Sequence, residues 1–265
     1  MKITSLCLAL SALSTAAAHA GTMGPEQIDP KQFFIELGSG ISFANQAKPT
    51  INFSTWSAAP EGYSSGLGDK PLYTAGFGYM INDALNIDVS YTYRGLYSYS
   101  KFQSTGSSAS TVSNPLPSRT RYFNLSSNAV MFNVTLDGNI HPGLVYTTAN
   151  RGYLQPFIGG GLGASYNTVD NFHTILADGT SVATSAMLDQ TKTSLAYQFN
   201  AGLEWIYDRF ALDIGYRYFN AGHYKSNNFL LTHATATTTS PPIYVTPWTA
   251  TLSANEVFFT AKFAF

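Results

Sequence analysis

Apolar and polar residues alternate with period two along most of this chain, in eight stretches separated by turn-forming residues, and that pattern predicts eight β-strands. The first stretch runs from Phe33 to Ala44, with Phe33, Ile35, Leu37, Ile41 and Phe43 on one face and Glu36, Gly38, Gly40 and Ser42 on the other. The second, Leu72 to Asn82, sets Tyr73, Ala75, Phe77, Tyr79 and Ile81 against Thr74, Gly76 and Gly78. The third sets Leu85, Ile87, Val89, Tyr91 and Tyr93 against Asn86, Asp88, Ser90, Thr92 and Arg94. The fourth carries Val130, Phe132, Val134 and Leu136; the fifth is Tyr153 to Tyr166 and the sixth Ser194 to Ile206. The seventh carries Phe210, Leu212, Ile214, Tyr216 and Tyr218, and the last is Asn255 to Phe265.

The spacing of the strands adds a second pattern. Asn82-Asp83 and Asp208 mark tight turns, and the connection from about Asp137 to Gly152 is somewhat longer. The connections after strands one, three, five and seven are each about 25 to 35 residues, longer than compact soluble domains usually carry. They are rich in Ser, Thr, Asn, Gly and Pro, as in Ser104 to Ser118 and Thr232 to Pro242. Short turns on one rim and long loops on the other are the arrangement of bacterial outer-membrane barrels. The expected fold is therefore all-β: one membrane-spanning, eight-stranded, antiparallel up-and-down barrel over residues 33–265, with four long extracellular loops.

Composition sharpens this. Only 11% of residues are charged while 14% are aromatic, against about 25% charged in an ordinary soluble domain. No segment after residue 20 has the 18 or so consecutive apolar residues of a spanning helix. Lys2, the apolar run Ile3 to Leu13 and Ala18-His19-Ala20 read as an export signal cleaved after Ala20, with Gly21 to Gln32 a periplasmic lead-in. Cys7, the single cysteine, lies within the signal, so neither disulfides nor thiolate metal sites are expected afterwards. A net charge of −1 gives no reason to expect nucleic acid.

Alternation does not say which face points outward; a secreted sandwich or closed soluble barrel would turn its apolar face in. Charge decides. Glu36, Asp88, Arg94, Glu204, Asp213, Arg217, Glu256 and Lys262 all fall on the polar face of their strands. On a lipid-facing surface an Arg or Lys at mid-bilayer would cost roughly 2–4 kcal/mol. Gly38, Gly40, Gly76, Gly78, Gly159, Gly161, Gly163, Gly202 and Gly215 share the charged face, Gly160 being the main exception. A narrow eight-stranded lumen needs small residues beside large ones. Tyr73, Tyr91, Tyr93, Tyr166, Tyr216 and Tyr218 suit an aromatic girdle on the apolar face.

Three strands resemble a known family. Leu154-Gln155-Pro156-Phe157-Ile158-Gly159-Gly160-Gly161-Leu162-Gly163 is similar to the Pro-aromatic-x-Gly-x-Gly-x-Gly strand of opacity-type and OmpA-like eight-stranded outer-membrane barrels. Ala196 to Glu204 resembles their aromatic-Gln-x-x-x-Gly strand, and Leu212-Asp213-Ile214-Gly215-Tyr216-Arg217-Tyr218 their Gly-Tyr-Arg-Tyr strand. Phe265, with Phe263 and Phe259, looks like the carboxy-terminal signal read by the outer-membrane assembly machinery. The resemblance implies fold and location, and makes that machinery, outer-membrane lipid and lipopolysaccharide the expected partners. It does not fix an activity, because its members serve as wall anchors, adhesins, host-factor binders or small pores. No peptidoglycan-binding segment follows the last strand, so a cell-wall tether is not expected.

An enzyme is not expected, and neither is a cofactor. His223 and Ser226 resemble part of the His-x-Ser-Asn element of lipid A 3-O-deacylases, but at three apart they fall on opposite strand faces. His141, His173 and His233 stand alone in turns or loops. The eight luminal charges suggest a salt-bridge network that plugs the barrel; the alternative is a narrow ion path lined by the same groups. Glu36, Asp88, Glu204, Asp213 and Lys262 are expected at one height near the short turns, with Lys262 within reach of Glu36 and Asp213, and Arg94 and Arg217 higher. The expected role is a surface-exposed, adhesin-like or structural barrel whose loops, with Trp56 and Trp248 as possible anchors, bind an unidentified external ligand. A small porin is the alternative.

Overall fold

The computed structural model describes residues 32–45, 67–103, 119–148, 152–176, 181–182, 190–226, 229–231, 243–245 and 249–265. The expected signal, nearly all of the lead-in, Trp56, Trp248, His233 and the stretches Ser104 to Ser118 and Thr232 to Pro242 lie outside the described residues.

Eight long strands form the barrel: β1 Phe33–Ala44, β2 Asp69–Asn82, β3 Leu85–Gln103, β4 Arg119–Asp137, β5 Tyr153–Leu176, β6 Gln190–Tyr207, β7 Phe210–Lys225 and β8 Thr249–Ala264. Each pairs antiparallel with its sequence neighbours, and β1 pairs with β8, so the sheet closes on itself. Closure leaves none of the eight long strands with a free edge, the condition for a sheet to cross a bilayer. At the seam the Phe265 backbone N–H donates to Phe33 O at 2.9 Å. At the β2–β3 turn Asn82 Oδ1 accepts from Ala84 N at 2.9 Å, the side chain imitating a backbone turn as its position suggested. The connection after β4 holds two single 3-10 turns and a two-residue strand, Tyr146–Thr147, against the start of β5.

The exterior of the barrel is apolar where the alternation says it should be. Leu37, Phe77, Val89, Phe132, Ile158, Leu162, Leu195, Phe199 and Val257 are all exposed. The outward tyrosines Tyr73, Tyr91, Tyr93, Tyr166 and Tyr216 are exposed too, while Tyr218 is half-buried. At the short-turn end a second aromatic group gathers: Phe33 against Phe77 and Tyr79, Trp205 against Tyr207, and Phe210 against Phe263.

The strands differ from expectation in length. β5 has 24 residues and β3 and β4 have 19 each, where a tilted strand needs about 9–11 to cross the hydrocarbon layer. The extra residues lie at the long-loop rim, so the connections there are shorter than the alternation implied. The physical reason is an inversion of polarity partway up. Along β4, Val130, Phe132 and Val134 point out, whereas Phe123 and Leu125, of opposite parity, are buried inside. β8 repeats the change, with Val257 and Phe259 outside and Leu252 inside. In β3 a register shift between Arg94 and Tyr97 reverses the parity, turning Tyr97 and Tyr99 inward although Tyr91 and Tyr93 point out. Apolar side chains that turn from outside to inside without leaving the sheet mark the level where the surroundings change from lipid to water.

Candidate functional site

Among the described residues the lumen is where polar chemistry is concentrated, and its side chains fall into three tiers. Luminal glycines make room for them, as expected. A Cβ on Gly161 would lie 2.0 Å from Asn133 Oδ1, and one on Gly215 2.7 Å from the Phe258 ring. The exception, Gly160, has the outward Phe199 ring 3.5 Å away.

The tier nearest the short turns centres on Lys262 of β8. Its Nζ lies 3.0 Å from Glu204 Oε1 and 2.9 Å from Asp213 Oδ2. Glu204 and Asp213 are cross-strand partners on β6 and β7, so the two carboxylates stand together. Gln155 Nε2 donates to the other oxygen of Glu204 at 2.7 Å. Asn86 donates to Asp137 at the foot of the lumen. Asn133 Nδ2 donates to Asp88 Oδ2 at 2.6 Å and to Ser90 Oγ at 2.8 Å, and Gln198 Nε2 donates to Asn133 Oδ1 at 2.7 Å.

Glu36 stands opposite Lys262 without pairing to it. The lysine pairs with Glu204 and Asp213 instead. The Glu36 carboxylate leans over Gly76 on β2, where a Cβ would sit 2.4 Å from Oε1. The bare glycine leaves room for the side chain to lie over β2.

The middle tier is a buried ion triad. Glu256 Oε1 accepts from Arg94 Nε at 2.7 Å and Oε2 from Arg217 Nε at 2.6 Å. Arg94 Nη2 adds a bond to Oε2 at 3.2 Å and Ser42 Oγ one to Oε1 at 2.9 Å. Tyr97 OH donates in turn to Ser42 Oγ at 2.7 Å. Arg94 and Glu256 are fully buried, and the Arg94 guanidinium lies 3.4 Å from the Phe219 ring centre. Burying three charges is tolerable only because each meets its opposite with good geometry.

Above the triad the lumen is filled by apolar side chains: Tyr99 stacked on Phe123 at 4.4 Å, with Leu125, Val169, Phe219, Tyr224 and Leu252 all buried around them. All eight expected charges face the lumen, but they occupy only its lower two tiers. Asp137, Asn86, Asn133, Gln155 and Gln198 were missed. The neutral amides share the parity of the charged positions, the one signal that could have found them; Asp137 sits at a strand end.

Phe263 is half-buried and Phe265 exposed, both at the closing seam. His223 is exposed, with Nδ1 3.1 Å from Thr251 Oγ1, while Ser226 is buried. His141 Nδ1 accepts from Gly143 N, and His173 stacks on Tyr122. Among the described residues no group of three or more His, Cys, Asp or Glu side chains is placed to hold a metal ion.

The chain matches the family described as "Outer membrane protein beta-barrel domain" over residues 5–234. No curated protein sequence matches it. Among solved structures, Neisserial surface protein A is 17% identical, covering 88% of this chain and 97% of its own, with a TM-score of 0.38. The outer membrane protein OprG from Pseudomonas aeruginosa is 11% identical, covering 91% of this chain and 99% of its own, with a TM-score of 0.40. Ail, the attachment invasion locus protein of Yersinia pestis, is 12% identical, covering 87% and 99%, with a TM-score of 0.32. A barrel closed strand to strand, dressed for lipid outside and matched along most of its length, puts this chain in the outer membrane and in the outer membrane protein β-barrel family.

Proposed function

We propose that this protein is a non-conducting, surface-exposed barrel that acts through its long-loop rim, carrying those loops outside the cell to meet an external partner in an adhesin-like role. The observation that carries the reading is the filled lumen: above the Arg94–Glu256–Arg217 triad, Tyr97, Tyr99, Phe123, Leu125, Phe219 and Tyr224 are each at most 3% exposed. A water path would have to break the triad and then displace a packed aromatic layer. The orientation rests on the short turns at Asp83 and Asp208, which belong at the periplasmic rim of such barrels.

Purified protein in planar bilayers tests the reading directly. Electrical silence is expected, with current appearing when the triad is removed together with Phe219. Stable, reproducible channels from the unaltered protein would overturn it in favour of a small porin. On whole cells, cysteines at Ser108 and Asp83 report orientation: an impermeant thiol reagent should reach the first alone. Exchanging residues 104–118 for a short turn should then leave insertion intact and lower attachment of cells to surfaces.

A further inference from the structure

The lower tier of the lumen carries more negative charge than its lysine can balance. Glu36, Asp88, Asp137, Glu204, Asp213 and Glu256 face Arg94, Arg217 and Lys262, six carboxylates against three cations. The two arginines are engaged by Glu256, and Lys262 by Glu204 and Asp213. Glu36, Asp88 and Asp137 therefore have no protein cation in an ion pair. Glu36 and Asp88 line one cavity of about 40 Å³, and Asp137 lies outside it.

The neutral wall of that cavity points the same way. An ionised Asp88 only accepts hydrogen bonds, so the Asn133 atom facing it must be the amide nitrogen. Asn133 Oδ1 then accepts from Gln198 Nε2, and this fixes the Gln198 amide with its oxygen as the remaining atom. Gln198 is 3% exposed, it lines the cavity, and its Oε1 has no hydrogen-bond partner. A buried carbonyl oxygen without a donor needs an explanation. The wall also carries the hydroxyls of Ser90, Thr135 and Thr260, the rings of Phe34, Phe157 and Phe258, and two cations, Lys262 and Arg217, against three carboxylates, Glu36, Asp88 and Asp213, so the lining keeps one negative charge in excess.

Oxygen ligands with an uncompensated negative charge select hard cations. The absence of three clustered metal-ligating side chains among the described residues argues against a divalent ion. A single water needs roughly 10–15 Å³ of such space, so this cavity has room for an ion and a water or two. We propose that the luminal cavity binds one monovalent alkali cation, Na⁺ or K⁺, between Glu36 and Asp88, with Gln198 Oε1 as a neutral ligand. The cation takes the place of the pairing that Lys262 gives to Glu204 and Asp213.

The test is urea unfolding of the detergent-folded protein at constant ionic strength, in sodium, potassium or N-methyl-D-glucamine chloride. A bound ion lowers the unfolding constant in proportion to its concentration above Kd, roughly tenfold for each tenfold rise. Expected is a higher unfolding midpoint in sodium or potassium than in N-methyl-D-glucamine. The difference should vanish in the Glu36→Gln, Asp88→Asn double variant, which removes the two unpaired charges of the cavity and keeps its shape. Crystals soaked in thallous acetate, a heavy mimic of K⁺, should show anomalous density in the cavity. Equal midpoints in all three salts, an effect that survives in the double variant, or thallium found only elsewhere would each overturn the proposal. Equal midpoints that nonetheless move with pH would assign the missing positive charge to a proton shared by the two carboxylates.

Discussion

The two halves of the barrel are built on the same eight strands and filled in opposite ways. Towards the short turns the interior carries the charges, with the rings of Phe34, Phe157 and Phe258 among them, and the exterior is apolar; towards the long loops the interior is mainly apolar and the exterior more polar. Arg94 and Phe219 touch at the boundary, one the top of the charged half and the other the floor of the aromatic half. Backbone pairing extends through both halves, since β3–β4 and β4–β5 stay paired on either side of their register shifts. What differs is the medium outside. Lipid welcomes apolar side chains, so the strands spend theirs on the exterior and leave the lumen to hydrogen-bonded polar groups. Water does not, and there the barrel folds as a soluble one does, with its core inside.

The largest effect should come at the boundary. Glu256→Ala leaves Arg94 and Arg217 buried without an anion, and breaking such a pair costs about 3–5 kcal/mol. Urea unfolding in detergent should show a loss at least this large. A loss under about 1 kcal/mol would mean that water already reaches the guanidiniums and that the halves are not sealed from each other. Lys262→Met should cost about as much or a little less, because the cavity beside it admits water. Part of that loss should return in combination with Glu204→Gln, its ion-pair partner, and not with Glu36→Gln.

Substitutions along single strands sharpen the contrast. Leu125→Ala, inside the upper half of β4, should cost about 2–5 kcal/mol. Val130→Ala, five residues on and facing out, should cost under about 1 kcal/mol in detergent, where nothing is left as a cavity. The reverse order would put the inversion level elsewhere. On β6, Phe199→Arg should cost about 2–4 kcal/mol of folding into liposomes. Thr193→Arg, on the same outward face but beyond the inversion, should fold nearly as the parent does, with heat-modifiable gel mobility as the readout.

Much of the lower half was legible from alternation, because a single residue parity there separates lipid from lumen. The eight strands, the inward charges and the glycines beside them follow from that one rule. The upper half was not legible, for two physical reasons. The shift between Arg94 and Tyr97 reverses parity without any obvious break, so that Tyr97 and Tyr99 seem to continue the outward series of Tyr91 and Tyr93. In β4 parity is kept while the apolar residues change sides, which reads as the end of the pattern rather than its inversion. Ion-pair choice was equally hidden. Register alone assigns Lys262 to Glu36, and it does not show the room that Gly76 leaves for the carboxylate over β2.

The seam between β1 and β8 bears on how the protein comes to exist at all. Partners such as Phe34 and Ala264, or Glu36 and Lys262, stand at opposite ends of the chain. The final contacts cannot form until the last strand has been synthesised and delivered, and pairings of such long sequence separation are intrinsically slow. Throughout that wait the partly built sheet has two raw edges and an apolar outer surface, the combination that invites aggregation. The stability of the finished cylinder therefore does nothing to protect its precursor. Safe passage depends on something that shields the open sheet until Phe265 reaches Phe33.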